Sequence, residues 1–261
     1  MEIWEAIVLG ILQGLTEFLP VSSSGHLELA NYFFGIEEPS NLTFTMAVHL
    51  GTVMSAIVVF WREIGRLLRG FFKFRMNDET IFIINILISL LPIIFIGLMF
   101  RDQIEGLFTS NLTLVGAMLL VTAVLLVFAQ YAKPKGRPVT PKSAFIMGIA
   151  QAVAIFPGLS RSGATISTGL MLGVKREEVS KFSFLMVLIP VIGMNLLEVF
   201  KGGFGGVSIG GGAIAAGFIT AFLTGTLACR WMIRLVNRGK LVWFAVYCCA
   251  LGLFSIIYSL V

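Results

Sequence analysis

Residue types that can carry out chemistry stand close together near the start of the chain, in the stretch LTEFLPVSSSGH (15–26). Within ten positions it holds a carboxylate at Glu17, three consecutive serines at 22–24 and an imidazole at His26. A serine hydroxyl is a weak nucleophile until a base takes its proton, and either Glu17 or His26 can serve as that base. Ser23 and His26 are three positions apart, so their side chains can share one face of a helix. The stretch therefore indicates hydroxyl chemistry, with Ser23 as the candidate attacking group.

The very apolar composition of the chain indicates which structural elements position these groups. Hydrophobic residues make up 57% of the 261 positions and charged residues 13%, and the mean hydropathy is +0.94. A soluble domain carries about 25% charged residues, so this chain has too few to cover a water-facing surface. The composition predicts an all-α polytopic membrane protein with six transmembrane helices. The predicted spans lie near 44–61, 81–100, 112–131, 182–200, 209–229 and 241–260.

Two further apolar stretches, 3–34 and 143–173, are interrupted by proline, glycine and hydroxyl residues. The interruption is PVSSSG in the first stretch and PGLSRSG in the second. The apolar sequence after each break is long enough for about 15 Å of helix, half the thickness of a bilayer. Each stretch is therefore predicted to be a re-entrant helix hairpin that enters and leaves on one face of the membrane.

The two broken stretches are copies of each other. A shift of 138 residues aligns them without a gap, with ten identities in 39 positions. Three predicted spans separate the copies, so the second copy is inverted relative to the first. We expect one integral membrane domain (1–261) made of repeats 1–131 and 143–261, joined by an exposed linker loop at 132–142. The identical pairs are Ala6/Ala144, Gly10/Gly148, Ile11/Ile149, Gln13/Gln151, Phe18/Phe156, Ser22/Ser160, Ser24/Ser162, Gly25/Gly163, Gly35/Gly173 and Phe44/Phe182.

Charge placement supports the re-entrant topology. With two re-entrant hairpins, four predicted loops share one side and hold sixteen of the nineteen Lys and Arg residues, while the opposite side has only Arg101 and Lys201. The positive-inside rule then predicts that both termini lie outside the cytoplasm. The net charge of +5 is thus a topology signal, and no nucleic-acid partner is expected. The four basic loops are 62–79, 132–143, 174–181 and 230–240.

The second hairpin adds a cation, Arg161, to the tip region. An ionised group at the membrane centre costs about 2.5–3.5 kcal/mol, so Glu17 and Arg161 form either a structural ion pair or part of a functional site. The N-termini of the outgoing half-helices supply free N–H groups and partial positive charge, and a guanidinium can bind two phosphate oxygens. A diphosphate fits this arrangement, although capping of the helix ends is the alternative role for the serines. The candidate phosphate-binding residues are Ser22, Ser24, Gly25, Ser160, Ser162, Gly163 and Thr165.

Other polar residues within the apolar segments have simpler interpretations. His49 stands alone in a predicted span, so we expect a packed, hydrogen-bonded histidine. Gln13 and Gln151 precede the two tips by about one helical turn and are expected to brace them through hydrogen bonds. For Gln13, a place beside Glu17 that faces the substrate is the alternative.

The motifs QGLTEFLPVSSSGH and PGLSRSGATIS resemble the two signature regions of the undecaprenyl-diphosphate phosphatases of the bacitracin-resistance type. The resemblance covers essentially the whole chain and includes VNRGKLVWFAVY near the C-terminus. It implies hydrolysis of undecaprenyl diphosphate to undecaprenyl phosphate and inorganic phosphate, which recycles the lipid carrier of cell-wall synthesis in the bacterial inner (plasma) membrane. It also implies six spanning helices plus two re-entrant pairs in an inverted repeat. The functional residues carried over by position are Glu17, Ser23, His26 and Arg161.

The resemblance further implies dependence on a divalent cation, Mg²⁺ or Ca²⁺, with Glu17 as the candidate ligand. Members of the family have either Glu or Gln where this chain has Gln13. A metal here would therefore meet one carboxylate fewer than in members that have Glu.

Inverted repeats with broken helices are also typical of transporters, so a transporter or flippase of a polyprenyl-phosphate lipid is the alternative hypothesis. Such a protein would need a phosphate site at the midplane but no nucleophile with its base. The attacking group stays open among Ser23, His26 and a water molecule. The leaflet that the site faces and the oligomeric state stay open as well, with a homodimer as one option.

Overall fold

The computed structural model describes residues 1–34, 42–100, 111–133, 135–200 and 210–260. These residues form ten α-helices, which confirms the all-α prediction. The helices are α1 (Ile3–Phe18), α2 (Ser23–Phe34), α3 (Leu42–Phe71), α4 (Asp78–Met99), α5 (Leu112–Tyr131), α6 (Pro141–Val153), α7 (Arg161–Met171), α8 (Arg176–Phe200), α9 (Gly211–Asn237) and α10 (Val242–Leu260).

Six helices, α3, α4, α5, α8, α9 and α10, are long and apolar enough to cross a membrane. The six predicted spans are therefore confirmed, and the protein is a multi-pass membrane protein. The predicted loops at 62–79, 174–181 and 230–240 are wrong in part, because α3 continues to Phe71, α8 begins at Arg176 and α9 continues to Asn237. Arginine and lysine end the apolar portion of a span, but they are good helix formers and do not end the helix. Gly35, Arg101, Lys201 and the predicted start of a span at 209 lie outside the described residues.

The two interrupted stretches form helix pairs, α1 with α2 and α6 with α7. The second helix of each pair is short, with 12 residues in α2 and 11 in α7. At 1.5 Å per residue these are about 17 Å long, well under the roughly 30 Å of a hydrocarbon core. These lengths agree with re-entrant hairpins, whose position in the membrane stays a prediction.

Helices α1 and α6, which the repeat makes equivalent, each pack on a helix of the other half. Helix α1 packs on α9 and α6 packs on α4. A matched glycine allows each close approach, since a Cβ added at Gly10 would lie 2.5 Å from the Gly217 carbonyl oxygen, and one at Gly148 would lie 2.3 Å from that of Ser89. Small residues at such contacts let membrane helices associate closely. The inversion of the two halves across the membrane stays a prediction.

The four basic segments lie next to one another. The Lys181 ammonium is 3.9 Å from the Glu63 carboxylate, which joins 174–181 to 62–79. A backbone bridge pairs Arg137 with Val174. The Arg176 guanidinium donates to the carbonyl of Val236 at 3.4 Å, which joins the same segment to 230–240. These contacts are consistent with the prediction that the four segments share one side of the membrane, which stays a prediction.

The linker at 132–142 is anchored at one point. Val139 is buried, its N–H donates to Glu178 at 3.1 Å, and its carbonyl accepts from Asn85 at 3.0 Å. Most of the other described residues of 132–142 are exposed, in contrast to Val139. The helix of the second copy begins at Pro141, with Thr140 as its N-cap.

Candidate active site

The two hairpin tips touch. The Ser162 hydroxyl of the second tip donates to the Leu19 carbonyl of the first at 3.1 Å. The backbones approach closely enough that a Cβ on Gly25 would lie 3.0 Å from the Gly158 Cα. Thr122 of α5 holds the second tip, because its hydroxyl accepts from the Ser160 N–H at 3.0 Å and lies 3.2 Å from the Gly158 carbonyl.

Glu17 stands at the centre of the contact between the tips. Its Oε2 accepts a hydrogen bond from the Ser23 hydroxyl at 2.6 Å and from the Gln13 amide at 3.0 Å. Its Oε1 accepts from the Arg161 guanidinium at 2.6 Å. The structure thus brings together three of the four residues that the resemblance carries over. The Glu17 side chain is 10% exposed and that of Arg161 28%, so a ligand can still reach the guanidinium.

The serines before α2 and α7 cap these helices in the same way. The Ser22 hydroxyl accepts from the Gly25 N–H at 3.2 Å, and the Ser160 hydroxyl accepts from the Gly163 N–H at 3.0 Å. The Ser22 and Ser160 hydroxyls therefore cap these helices, and the N–H groups of both glycines are engaged within the caps. A helix start has four N–H groups without an intrahelical partner. Binding of an anion by the N–H groups at the starts of α2 and α7 stays a prediction.

One tip residue adopts an uncommon backbone conformation. Ser22 has a φ of +69°, in the left-handed region that residues other than glycine rarely adopt. Its counterpart Ser160 has a φ of −67°. Such strain concentrates at functional sites, and here it sits next to the candidate nucleophile.

His26 points away from Ser23 and toward α10. Its Nδ1 lies 2.7 Å from the Ser22 carbonyl oxygen, and because a carbonyl only accepts, Nδ1 carries the proton. Its Nε2 then accepts from the Tyr247 hydroxyl at 2.7 Å, with the two rings nearly parallel. Two bases were considered for Ser23. In the structure, the Ser23 hydroxyl is hydrogen-bonded to Glu17. The contact with Tyr247 had no signal in the sequence, since 221 residues separate the partners.

His49 lies beside the site. Its interpretation as a structural histidine did not predict this position. Its Nδ1 donates to the Thr45 carbonyl at 2.8 Å, so the expected hydrogen bond exists. Its Nε2, however, is 4.0 Å from Glu17 Oε2. The packing of α3 against α1 produces this proximity, and the spacing of the two residues along the chain does not reveal it.

The repeat-related glutamines behave differently. Gln13 braces Glu17, as expected. Gln151 was expected to brace the second tip, but neither atom of its buried amide has a hydrogen-bond partner among the described residues. That expectation is wrong because the residue four positions after Gln151 is Ile155, where the first copy has Glu17.

Two adjoining clefts meet at Glu17 and Arg161. The first is lined by hydroxyls of both tips. The second is lined by Gln151 and by apolar side chains of α8. Lining the first are Thr16, Ser22, Ser23, Ser24, Leu159 and Ser160; lining the second are Phe18, Gln151, Ser162, Thr165, Ser183, Phe184 and Val187.

The fold and this site define a class of protein: a multi-pass membrane protein in which a serine, a carboxylate and a guanidinium from two helix pairs meet at a cleft. The chain belongs to the family described as Bacitracin resistance protein BacA, whose family model matches residues 6–254.

Relatives with similar sequences carry a common name. The chain is 52% identical over 269 residues to an undecaprenyl-diphosphatase from Bacteroides fragilis (strain YCH46), covering 99% of each chain. It is 51% identical over 265 residues to an undecaprenyl-diphosphatase from Parabacteroides distasonis, covering 100% of this chain and 99% of the relative. An undecaprenyl-diphosphatase from Korarchaeum cryptofilum is 37% identical over 262 residues, covering 97% of this chain and 98% of the relative.

Proposed function

We propose that the protein hydrolyses undecaprenyl diphosphate to undecaprenyl phosphate and inorganic phosphate, and so recycles the lipid carrier of cell-wall synthesis. The observation that carries this assignment is the joint contact of Ser23 and Arg161 with Glu17. The names of relatives about 50% identical over the whole chain support it. Bacitracin resistance follows as the expected phenotype, in keeping with the family.

Substrate binding depends on Arg161 and the helix starts. A guanidinium carries five N–H donors, and the hydrogen bond from Arg161 Nη2 to Glu17 leaves others for phosphate oxygens. The partial positive charge at the start of α7 acts on the same ligand. Phosphoryl transfer requires mainly positioning and charge neutralisation, which these groups provide.

The chemical step uses Ser23 and Glu17. The Ser23 oxygen forms a bond to the terminal phosphorus, the bond from that phosphorus to the bridging oxygen breaks, and undecaprenyl phosphate leaves. Glu17 takes the hydroxyl proton, which passes to the leaving phosphate. Water then attacks the phosphoserine, its proton passes through Glu17 to the serine oxygen, and inorganic phosphate is released. Direct attack by a water held by Ser23 is the alternative, and ³²P retained on Ser23 after rapid quenching distinguishes the two.

A divalent cation fits this site only together with the substrate. Among the described residues, no three His, Cys, Asp or Glu side chains cluster as metal ligands. The Glu17 carboxylate and the unpartnered Oε1 of Gln13 can hold a Mg²⁺ or Ca²⁺ that substrate oxygens also bind. Such an ion would neutralise charge on the phosphate oxygens.

We place the protein in the bacterial plasma membrane, with both termini outside the cytoplasm. The gathering of the four basic segments on one side of the molecule supports this orientation. A cysteine introduced at Gly136, in an otherwise cysteine-free chain, should react with an impermeant thiol reagent only in inside-out vesicles. A cysteine at Glu2 should react only in intact cells or right-side-out vesicles, and the reverse pattern would overturn the orientation.

Phosphate release from a polyprenyl diphosphate in detergent tests the activity. Ser23→Ala and Arg161→Ala should each reduce kcat/KM by a factor on the order of 10³ or more. Ser259→Ala and Arg238→Ala are matched controls on exposed parts of the chain, and they should retain wild-type rates. Release that survived both site substitutions would contradict the proposal and favour a transporter, which needs the anion site but not the nucleophile.

A further inference from the structure

Gln151 carries a buried amide without a partner. The residue is 1% exposed, and neither its Nε2 nor its Oε1 has a hydrogen-bond partner among the described residues. A buried polar group in this state costs stability, so it requires a specific explanation. The side chain lines the second cleft, which also reaches Arg161. The unpartnered amide therefore borders a cleft that Arg161 also lines.

Comparison of the two copies of the repeat shows which kind of group the Gln151 amide would bind. In the first copy, the Gln13 amide donates to the carboxylate of Glu17, four residues later, at 3.0 Å. In the second copy, the residue four positions after Gln151 is Ile155, which offers no acceptor. The second copy thus repeats the amide but has no carboxylate at the position that Glu17 occupies in the first copy. A ligand with negatively charged oxygens would complete it.

The walls of the second cleft indicate what else this ligand carries. Phe18, Phe184 and Val187 make most of the lining apolar, while Thr165 and Ser183 add hydroxyls 2.6 Å apart. The first cleft differs, because it is lined mainly by serines and contains the candidate nucleophile Ser23. A ligand in the second cleft therefore combines an anionic group near Arg161 with a hydrocarbon portion.

We propose that Gln151 binds an oxygen of the lipid-bearing phosphate of the substrate, and that the second cleft receives this phosphate with the first part of the prenyl chain. This inference rests on the proposed function, since it assigns the two phosphates of the proposed substrate to different clefts. The terminal phosphate lies in the first cleft at Ser23, the lipid-bearing phosphate lies in the second at Gln151, and Arg161 contacts both. Gln151 is thereby a specificity residue for prenylated phosphates.

Direct binding separates this role from a structural one. The purified wild-type protein and Gln151→Met are titrated with a C15 prenyl monophosphate and, separately, with inorganic phosphate. Methionine nearly preserves the size of the side chain and removes both amide atoms. We expect the affinity for the prenyl monophosphate to fall about tenfold, which corresponds to the loss of one hydrogen bond to a charged group. The affinity for inorganic phosphate should stay within twofold of wild type.

Thermal unfolding in the same detergent provides the second readout. Because the amide has no hydrogen-bond partner among the described residues, Gln151→Met should keep or raise Tm. Gln130→Met is the matched control, since Gln130 accepts from the Leu241 N–H at 2.9 Å. It should lower Tm and leave both affinities unchanged. A second variant, Gln151→Glu, should weaken prenyl monophosphate binding further by charge repulsion.

Three results would overturn the assignment of Gln151. They are an equal loss of affinity for both ligands, no change in either affinity, or a fall in Tm that accompanies the loss of binding. Failure of the proposed function gives a different result. In that case the wild-type protein binds the prenyl monophosphate and releases no phosphate from a prenyl diphosphate, while the effect of Gln151→Met on binding still decides the role of this residue.

Discussion

Ser23 and Arg161 occupy equivalent positions in the two copies of the repeat, 138 residues apart, and both side chains donate to the same carboxylate. The hydroxyl bonds Oε2 of Glu17 and the guanidinium bonds Oε1, each at 2.6 Å. Two copies of one segment thus contribute unlike groups, a hydroxyl and a cation, to a single site. The carboxylate has no counterpart, because position 155 of the second copy is isoleucine. Neither half alone contains the complete site.

Glu17→Gln separates the chemical role of this carboxylate from its role in binding. The substitution removes the base for Ser23, so kcat should fall by roughly 10²–10⁴. It also removes the counter-charge of Arg161, which leaves the guanidinium free to bind phosphate. We therefore expect a non-hydrolysable diphosphate analogue to bind as tightly as in wild type or more tightly.

The control for Glu17→Gln is Glu79→Gln, which removes a carboxylate from the first turn of α4. Both kcat and analogue affinity should be unchanged in that variant. If analogue affinity in Glu17→Gln dropped in proportion to kcat, Glu17 would be a binding residue and the assigned base would be wrong.

The contact between the tips could be predicted because the sequence contains an internal repeat. The break in each copy falls at matched serines and glycines, which located the tips at Ser22–Gly25 and Ser160–Gly163. The proximity of Glu17 to Ser23 followed from local spacing. The meeting with Arg161 followed from the expectation that two half-depth hairpins end near each other.

What the sequence did not predict depends on helices that approach from elsewhere in the chain. Tyr247 reaches His26 from α10, and His49 approaches Glu17 from α3. Neither residue has a periodicity or motif that points to its partner, because both contacts arise from the rotation of packed helices. The same holds for Gln151, whose missing acceptor becomes evident only when its surroundings are compared with those of Gln13.

Gly158 is expected to be essential for the shape of the second tip. Its φ is +93°, and an added Cβ would lie 2.3 Å from the Val115 carbonyl oxygen. Gly158→Ala should therefore combine backbone strain of about 1–2 kcal/mol with a clash against backbone that cannot move aside. The variant should show a strongly lowered Tm in detergent and little phosphatase activity.

Gly136→Ala is the matched control for Gly158→Ala. Gly136 also has a positive φ, +67°, but nothing lies within 4 Å of an added Cβ. This variant should show only the backbone strain, hence a small decrease in Tm and normal activity. Equal effects of the two substitutions would mean that the contact with Val115 does not matter.

Tyr247 is expected to position His26 and, through it, the first tip. Tyr247→Phe keeps the ring beside the imidazole and removes the hydroxyl that donates to Nε2. The loss of this bond should destabilise the protein by about 1 kcal/mol. Because Ser22 carries the strained turn before Ser23, kcat should fall several-fold while KM changes little. Tyr258→Phe removes a hydroxyl from the same helix without touching His26, and it should behave as wild type.

Gln13→Glu should strengthen the binding of a divalent cation. Gln13 lies 3.0 Å from Glu17 Oε2, so the substitution places two carboxylates side by side, and oxygen-ligand sites bind cations more tightly as ligand charge increases. We expect the free Mg²⁺ concentration for half-maximal activity to fall about tenfold. Binding of Mn²⁺ to the complex with a non-hydrolysable diphosphate analogue, followed by electron paramagnetic resonance, should become tighter as well. Gln130→Glu adds the same charge away from the site, where Gln130 accepts from the Leu241 N–H, and should leave Mn²⁺ binding unchanged. Unaltered cation binding in Gln13→Glu would exclude Glu17 and its neighbour as the ligands.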